Sequence, residues 1–90
     1  MLPFFEESCS DAKTKIRTFK QDVISEDLTW HRDRFDRKVQ VLQSRGWFFQ
    51  RDDQLPIELK SGDVFNIPAR TWHRIIKKNN CGDLVVKITE

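Results

Sequence analysis

Hydrophobic and polar residues alternate along much of this chain, which is typical of short β-strands with one buried face. The alternation is clearest from Lys38 to Gln43, where Val39 and Val41 share a face, and in the closing segment Leu84–Ile88. Glycine, proline and asparagine clusters separate the segments. The predicted strands are 14–19, 28–32, 38–43, 47–51, 56–59, 64–67, 72–77 and 84–88. About eight short strands with no convincing helix predict an all-β sandwich or barrel.

Residues 1–13 show no clean periodicity, because Pro3 and the acidic Glu6 and Glu7 interrupt the apolar Leu2, Phe4 and Phe5. This segment could be a disordered tail, a short helix, or an arm that packs on a partner subunit. We therefore divide the chain into an N-terminal tail or dimer arm, residues 1–13, and one barrel domain, residues 14–90, and we expect a homodimer.

Composition narrows the classes of partner. Ninety residues provide one domain with one modest core. The net charge of +2 comes from basic and acidic residues that are interleaved, which does not favour a nucleic-acid partner. No apolar run approaches the roughly 20 residues that span a bilayer, so we expect no membrane partner. Two distant cysteines and a start without a basic region favour a reducing, cytoplasmic location.

Two histidines and an aspartate form the candidate metal site. On an extended backbone His31 and Asp33 face the same side, about 6.6–6.8 Å apart along the chain. If the strand after Pro68 lies beside them, His73 completes a set of two imidazoles and one carboxylate. That set suits Fe(II) and accepts other divalent transition metals such as Mn, Ni or Zn.

Arg37 weakens the metal hypothesis. Strand alternation places Arg37 on the inward side with Val39 and Val41, and a guanidinium keeps its charge. It repels a divalent ion and favours a bidentate pair with Asp33, which suits a carboxylate or phosphate ligand better. The alternative is that His31 and His73 are structural residues near the mouth of the barrel.

Two segments resemble the motifs of the cupin superfamily. Gly62, Pro68 and His73 have the spacing of the second cupin motif, although Arg70 stands at its inner glycine. His31 matches the first histidine of the first motif, which is degraded: Asp33 stands at the second histidine and Arg37 at the glutamate. The resemblance implies a small jelly-roll barrel, a double-stranded β-helix, often dimeric, with a ligand or metal site inside its mouth.

Three functions follow as alternatives. The first, which we favour, is a small cupin-type protein that binds a small molecule, with anionic molecules among the candidates, or a divalent metal in the barrel mouth. The second is a metal-dependent oxygenase or isomerase of the Fe type that uses His31, Asp33 and His73. The third is a non-catalytic scaffold. Candidate ligand-binding residues are Arg37, Trp30, Trp47 and Trp72, although core or dimer-interface packing is the more common role of tryptophans at such positions.

Overall fold

The computed structural model of the protein describes residues 2–11 and 13–90. Its strands are β1 (Phe5–Ser8), β2 (Thr14–Phe19), β3 (Arg37–Gln43), β4 (Trp47–Arg51), β5 (Ile57–Glu58), β6 (Val64–Ile67), β7 (His73–Lys77) and β8 (Leu84–Thr89). They form a five-stranded sheet in the order β1-β2-β8-β3-β6 and a three-stranded sheet in the order β5-β4-β7. All the named pairings are antiparallel. The prediction of an all-β jelly roll is confirmed.

The core lies between the two sheets. In β3 the side chains of Val39 and Val41 are buried and their neighbours are exposed, as the alternation predicted. β8 contributes Leu84, Val86 and Ile88 to the same core. Trp47 of β4 is fully buried, and its indole N–H donates to the carbonyl of Gly82 at 2.7 Å. Because a buried indole needs an acceptor, this bond fixes the orientation of the largest core side chain.

The N-terminal segment contains a strand that the sequence did not predict. Phe5–Ser8 pairs with β2 and forms one edge of the larger sheet, with all four residues exposed. A fully exposed strand carries no hydrophobic alternation, which is why the pattern did not show it. Met1 and Ala12, within the predicted tail, lie outside the described residues. The division at residue 13 and the role as a dimer arm stay predictions.

The strand predicted at residues 28–32 is wrong. A single turn of 3-10 helix, Ser25–Asp27, precedes this segment, and only His31 within it makes a β-bridge. Trp30 and the other residues of this segment are irregular, because its pairing with β7 is limited to the one bridge at His31.

Over residues 2–11 and 13–90, the structure contains no helix long and apolar enough to cross a bilayer.

Three turns have a residue with positive φ. Gly46 (φ 80°) joins β3 to β4, and Gly62 (φ 95°) precedes β6. The sequence Ser44–Gly46 is typical of a hairpin turn, but a hairpin is wrong here because β3 and β4 belong to different sheets. The third is Arg70, with φ 64°, in the turn from Pro68 to Thr71. A side chain with a Cβ adopts this region at a cost that glycine avoids. The turn after Pro68 is therefore held in place by its surroundings.

Candidate metal and ligand site

A β-bridge joins the two histidine-bearing segments. The backbone N–H of His31 donates to the carbonyl of His73 at 3.0 Å, and the N–H of His73 donates to the carbonyl of His31 at 2.9 Å. The two imidazoles meet edge to face with their ring centroids 4.2 Å apart. The expectation that these distant segments are neighbours in the barrel is confirmed, although through one bridge and not through a paired strand.

The bridge brings together the three predicted metal ligands. One ligating atom each from His31, Asp33 and His73 lies within 4.8 Å of the other two. Each imidazole is oriented by a carbonyl two residues earlier: Nδ1 of His73 is 2.8 Å from the oxygen of Thr71, and Nδ1 of His31 is 3.2 Å from that of Thr29. A carbonyl only accepts, so each Nδ1 carries the proton. In the neutral ring, each Nε2 is left with a free lone pair, which is the arrangement of a metal-binding histidine.

Nε2 of His73 and Oδ2 of Asp33 face each other, and both are hydrogen-bond acceptors. His73 is only 4% exposed, and this burial lowers the pKa of its imidazole, against the opposing effect of the hydrogen bond to Thr71. The ring is therefore neutral at pH 7, and its Nε2 stands 3.5 Å from Oδ2 of Asp33. That carboxylate oxygen is buried and has no hydrogen-bond partner among the described residues. A cation between the two atoms would satisfy both of them.

The donor set fits a divalent transition metal. Two imidazole nitrogens and one carboxylate are ligands for Fe, Mn, Ni or Zn and leave coordination positions open. Bonds of about 2.0–2.2 Å hold neighbouring ligands about 3 Å apart. Nε2 of His73 and Oδ2 of Asp33, at 3.5 Å, are already near that spacing, and the other ligand atoms lie within 4.8 Å. The residues present can therefore hold the ion after small rotations.

Arg37 lies beside Asp33 of the candidate metal site, on the inward side that strand alternation predicted. Its Nη1 is 3.4 Å from Oδ1 of Asp33, and its Nη2 is 3.2 Å from Oε1 of Glu90. The predicted bidentate fork on Asp33 is not formed, because the second nitrogen turns to Glu90. The pairing of β3 with β8 sets Lys38 opposite Thr89, which carries Glu90 to the side of Arg37. The sequence analysis missed Glu90, since only the strand pairing reveals it. Two carboxylates around one guanidinium moderate the repulsion that Arg37 exerts on an ion.

A cavity of about 300 Å³ opens beside this cluster. Its walls are mostly apolar and come from both sheets, with Val39, Phe49, Ile67, Leu84, Val86 and Ile88 among them. His31, Asp33, Arg37 and His73 supply polar groups at the wall.

Residues from the N-terminal segment also line the cavity, a contribution without any signal in the sequence. Leu2, Pro3 and Phe4 lie along its wall. Phe4 packs on Phe19 with ring centroids 5.2 Å apart, and the guanidinium of Arg17 lies 4.3 Å from the Phe4 ring centroid. The segment before β1 thus forms part of the cavity wall.

The three predicted tryptophans are not among the described residues that line the cavity. Trp47 is packed in the core against Phe19. Trp30 directly precedes His31, and Trp72 directly precedes His73. Successive side chains on an extended backbone point to opposite sides, so the tryptophans point outward while the histidines face the cavity. There they stack with arginines from the opposite segment: Arg74 lies 4.6 Å from the Trp30 ring, and Arg32 lies 5.0 Å from the Trp72 ring.

Comparison with protein-family models gives no match, and comparison with curated protein sequences gives none. Solved structures are similar. A cupin superfamily protein from Desulfitobacterium hafniense aligns with a TM-score of 0.68 at 24% identity, over 96% of this chain and 75% of that one. A cupin-2 domain containing protein from Shewanella frigidimarina aligns with a TM-score of 0.64 at 17% identity, over 91% and 76%. A structure of DMSP lyases aligns with a TM-score of 0.65 at 13% identity, over 86% of this chain and 37% of that one. Together with the two antiparallel sheets and the histidines bridged at the cavity wall, these similarities show that the chain has the cupin fold.

Proposed function

We propose that this protein binds a divalent transition metal through His31, Asp33 and His73, and that the adjoining cavity takes a small, mostly apolar molecule whose polar end meets the metal. The observation that supports the metal most directly is the contact between Nε2 of the neutral His73 and the unpartnered Oδ2 of Asp33. Two buried acceptors face each other there, and a cation is the partner that relieves both.

The shape and lining of the cavity support the small molecule. Its volume of about 300 Å³ lies at the lower end of ligand pockets. That volume corresponds to roughly ten water molecules at about 30 Å³ each. Apolar walls with a few polar groups orient a ligand that has an apolar body and a polar or anionic end. Arg37, which lines the same cavity, favours a negative charge at that end.

A metal-dependent enzyme is the second candidate, and the open coordination positions favour it. Three protein ligands leave room for substrate or water, and a metal bound there supplies Lewis-acid chemistry. A structure of DMSP lyases is among the similar ones, which supports an enzyme as a candidate. His73 and His31 would then orient substrate through the ion, and the buried walls would keep water away. Turnover by metal-loaded protein that is lost in Asp33→Asn distinguishes an enzyme from a binding protein.

Calorimetric titration of chelator-treated protein with Zn²⁺ and Mn²⁺ tests the metal site. We expect one site per chain, and at least about tenfold weaker binding in Asp33→Asn, equivalent to about 1.4 kcal/mol. Asp53→Asn is the matched control, because Asp53 is an exposed carboxylate in the turn after β4. The asparagine amide at position 33 can donate to Nε2 of His73, so the metal-free variant stays folded. Equal affinity in Asp33→Asn and the parent protein, or no binding by the parent, contradicts the proposal.

A pair of adjacent valines on β8 tests the cavity. Val86 is buried and lines the cavity, whereas its neighbour Val85 is half-buried on the other side of the strand. Val86→Phe fills the cavity, and Val85→Phe adds the same atoms outside it. Ligand-observed NMR with small apolar carboxylates should show binding to the parent and to Val85→Phe, and none to Val86→Phe. Binding that survives in Val86→Phe would place the ligand elsewhere.

A further inference from the structure

Three arginines line a second, outer pocket next to Asp33. Arg32, Arg34 and Arg70 line this pocket together with Asp33, and its volume is about 260 Å³. All three arginine side chains are exposed. Arg32 and Arg34 precede and follow Asp33 in sequence, while Arg70 comes from the turn before β7. The pocket is therefore assembled by two separate loops.

Two hydrogen bonds, one between backbone groups and one from a backbone N–H to a side chain, join these loops. The N–H of Arg70 donates to the carbonyl of Asp33 at 2.7 Å, and the N–H of Ala69 donates to Oδ1 of Asp36 at 2.7 Å. Arg70 has its positive φ at this junction. Because the backbone of Arg70 is tied directly to Asp33, its side chain is kept beside those of Arg32 and Arg34.

The charges of the outer pocket are not balanced by the protein. Within residues 2–11 and 13–90, none of the three guanidiniums forms an ion pair. The carboxylate of Asp33 is in contact with Arg37 and His73. The carboxylate of Asp36 accepts the N–H of Ala69. Three like charges around one concave surface repel one another and create a positive potential that attracts an anion.

We infer that the outer pocket binds a phosphate group. Guanidinium matches phosphate geometry with paired N–H donors, and a phosphate offers three or four acceptor oxygens and nearly two negative charges to three arginines. A carboxylate has two oxygens and one charge, and it leaves part of this donor set unused. The site is distinct from the apolar cavity, and the inference does not depend on the metal.

Amide chemical shifts of metal-free, ¹⁵N-labelled protein test the inference by titration with inorganic phosphate and with methyl phosphate, at an ionic strength fixed with chloride. We expect saturable shifts at residues 32–34 and 69–71. Binding of both probes indicates recognition of any phosphate group, and binding of methyl phosphate alone indicates that a phosphomonoester is the ligand. Either outcome supports the site.

Two variants distinguish a specific phosphate site from non-specific electrostatic attraction to a positively charged surface. Arg34→Gln and Arg70→Gly should each weaken phosphate binding at least about tenfold, the effect of losing one charge-assisted contact. Glycine accepts positive φ, so Arg70→Gly retains its fold, and its melting temperature verifies this. Arg45→Gln is the matched control, because exposed Arg45 lies by Gly82, outside the pocket. Shifts that do not saturate, or that are equal in Arg70→Gly and Arg45→Gln, overturn the inference.

Discussion

Acidification should destabilise the metal-free protein through His73. In the unfolded chain a histidine has a pKa of about 6.5, while burial holds the pKa of His73 in the folded protein below that value. As the pH falls through about 6.5, the imidazole of His73 binds a proton in the unfolded state, while in the folded state it stays neutral until a lower pH. The free energy of unfolding therefore decreases on the acid side of pH 6.5, and it levels off once the folded protein also binds the proton.

The decrease in the free energy of unfolding has an upper limit. One proton contributes at most about 1.4 kcal/mol per pH unit, so the loss on reaching pH 5 cannot exceed about 2 kcal/mol. At about 4–8 °C per kcal/mol for a domain of this size, the melting temperature falls by several degrees. Two carboxylates contribute only at lower pH. Burial acts to raise the pKa of Glu6, but Arg17 and Lys15 lower it overall, and the backbone N–H of Gln21 lowers the pKa of Asp83.

Urea unfolding of chelator-treated protein at a series of pH values from 8 to 5 measures this slope. His73→Asn is the decisive variant, because its amide nitrogen can still donate to the carbonyl of Thr71 but does not titrate. We expect the decrease between pH 6.5 and 5 to shrink markedly in the variant. Stability that rises on acidification, or a slope that is unchanged in His73→Asn, would refute the assignment of a buried, neutral imidazole.

Three further substitutions test the fold around the site by urea unfolding. Trp47→Phe removes the bond to the carbonyl of Gly82 and leaves space in the core, so it should lower stability by about 2–3 kcal/mol; a loss below about 1 kcal/mol would contradict the packing. Gly46→Ala sets a Cβ 3.0 Å from Cβ of Cys81 at positive φ and should cost about 1–3 kcal/mol, whereas an unchanged midpoint would show that the turn relaxes. Glu6→Gln breaks ion pairs of β1 that are partly exposed, and the expected loss is below about 1 kcal/mol; a larger effect would mean that β1 contributes more to the barrel than its exposure suggests.

Most of the barrel could be predicted from local alternation, because its central strands bury one face only. Val39 and Val41 face inward as predicted. The strand Phe5–Ser8 could not be predicted, since it depends on the free edge of β2 and carries no buried face. At residues 28–32 the aromatic and apolar content suggested a strand, but only His31 finds a pairing partner.

The candidate site was predictable in its inward-facing residues and not in its surroundings. Alternation on an extended backbone placed His31 and Asp33 on one side, and the structure brings both to His73. The same rule, applied to the residues beside the histidines, would have turned Trp30 and Trp72 outward, where they stack on arginines. The cavity wall formed by residues 2–4 depends on where the chain returns after folding, and no local pattern encodes that.

Asp33 lines both pockets. Its carboxylate contacts His73 and Arg37, and its carbonyl accepts the N–H of Arg70. A movement of this one residue reaches both pockets at once. If both pockets are occupied as proposed, phosphate will alter the affinity for metal, and metal must then alter the affinity for phosphate by the same factor.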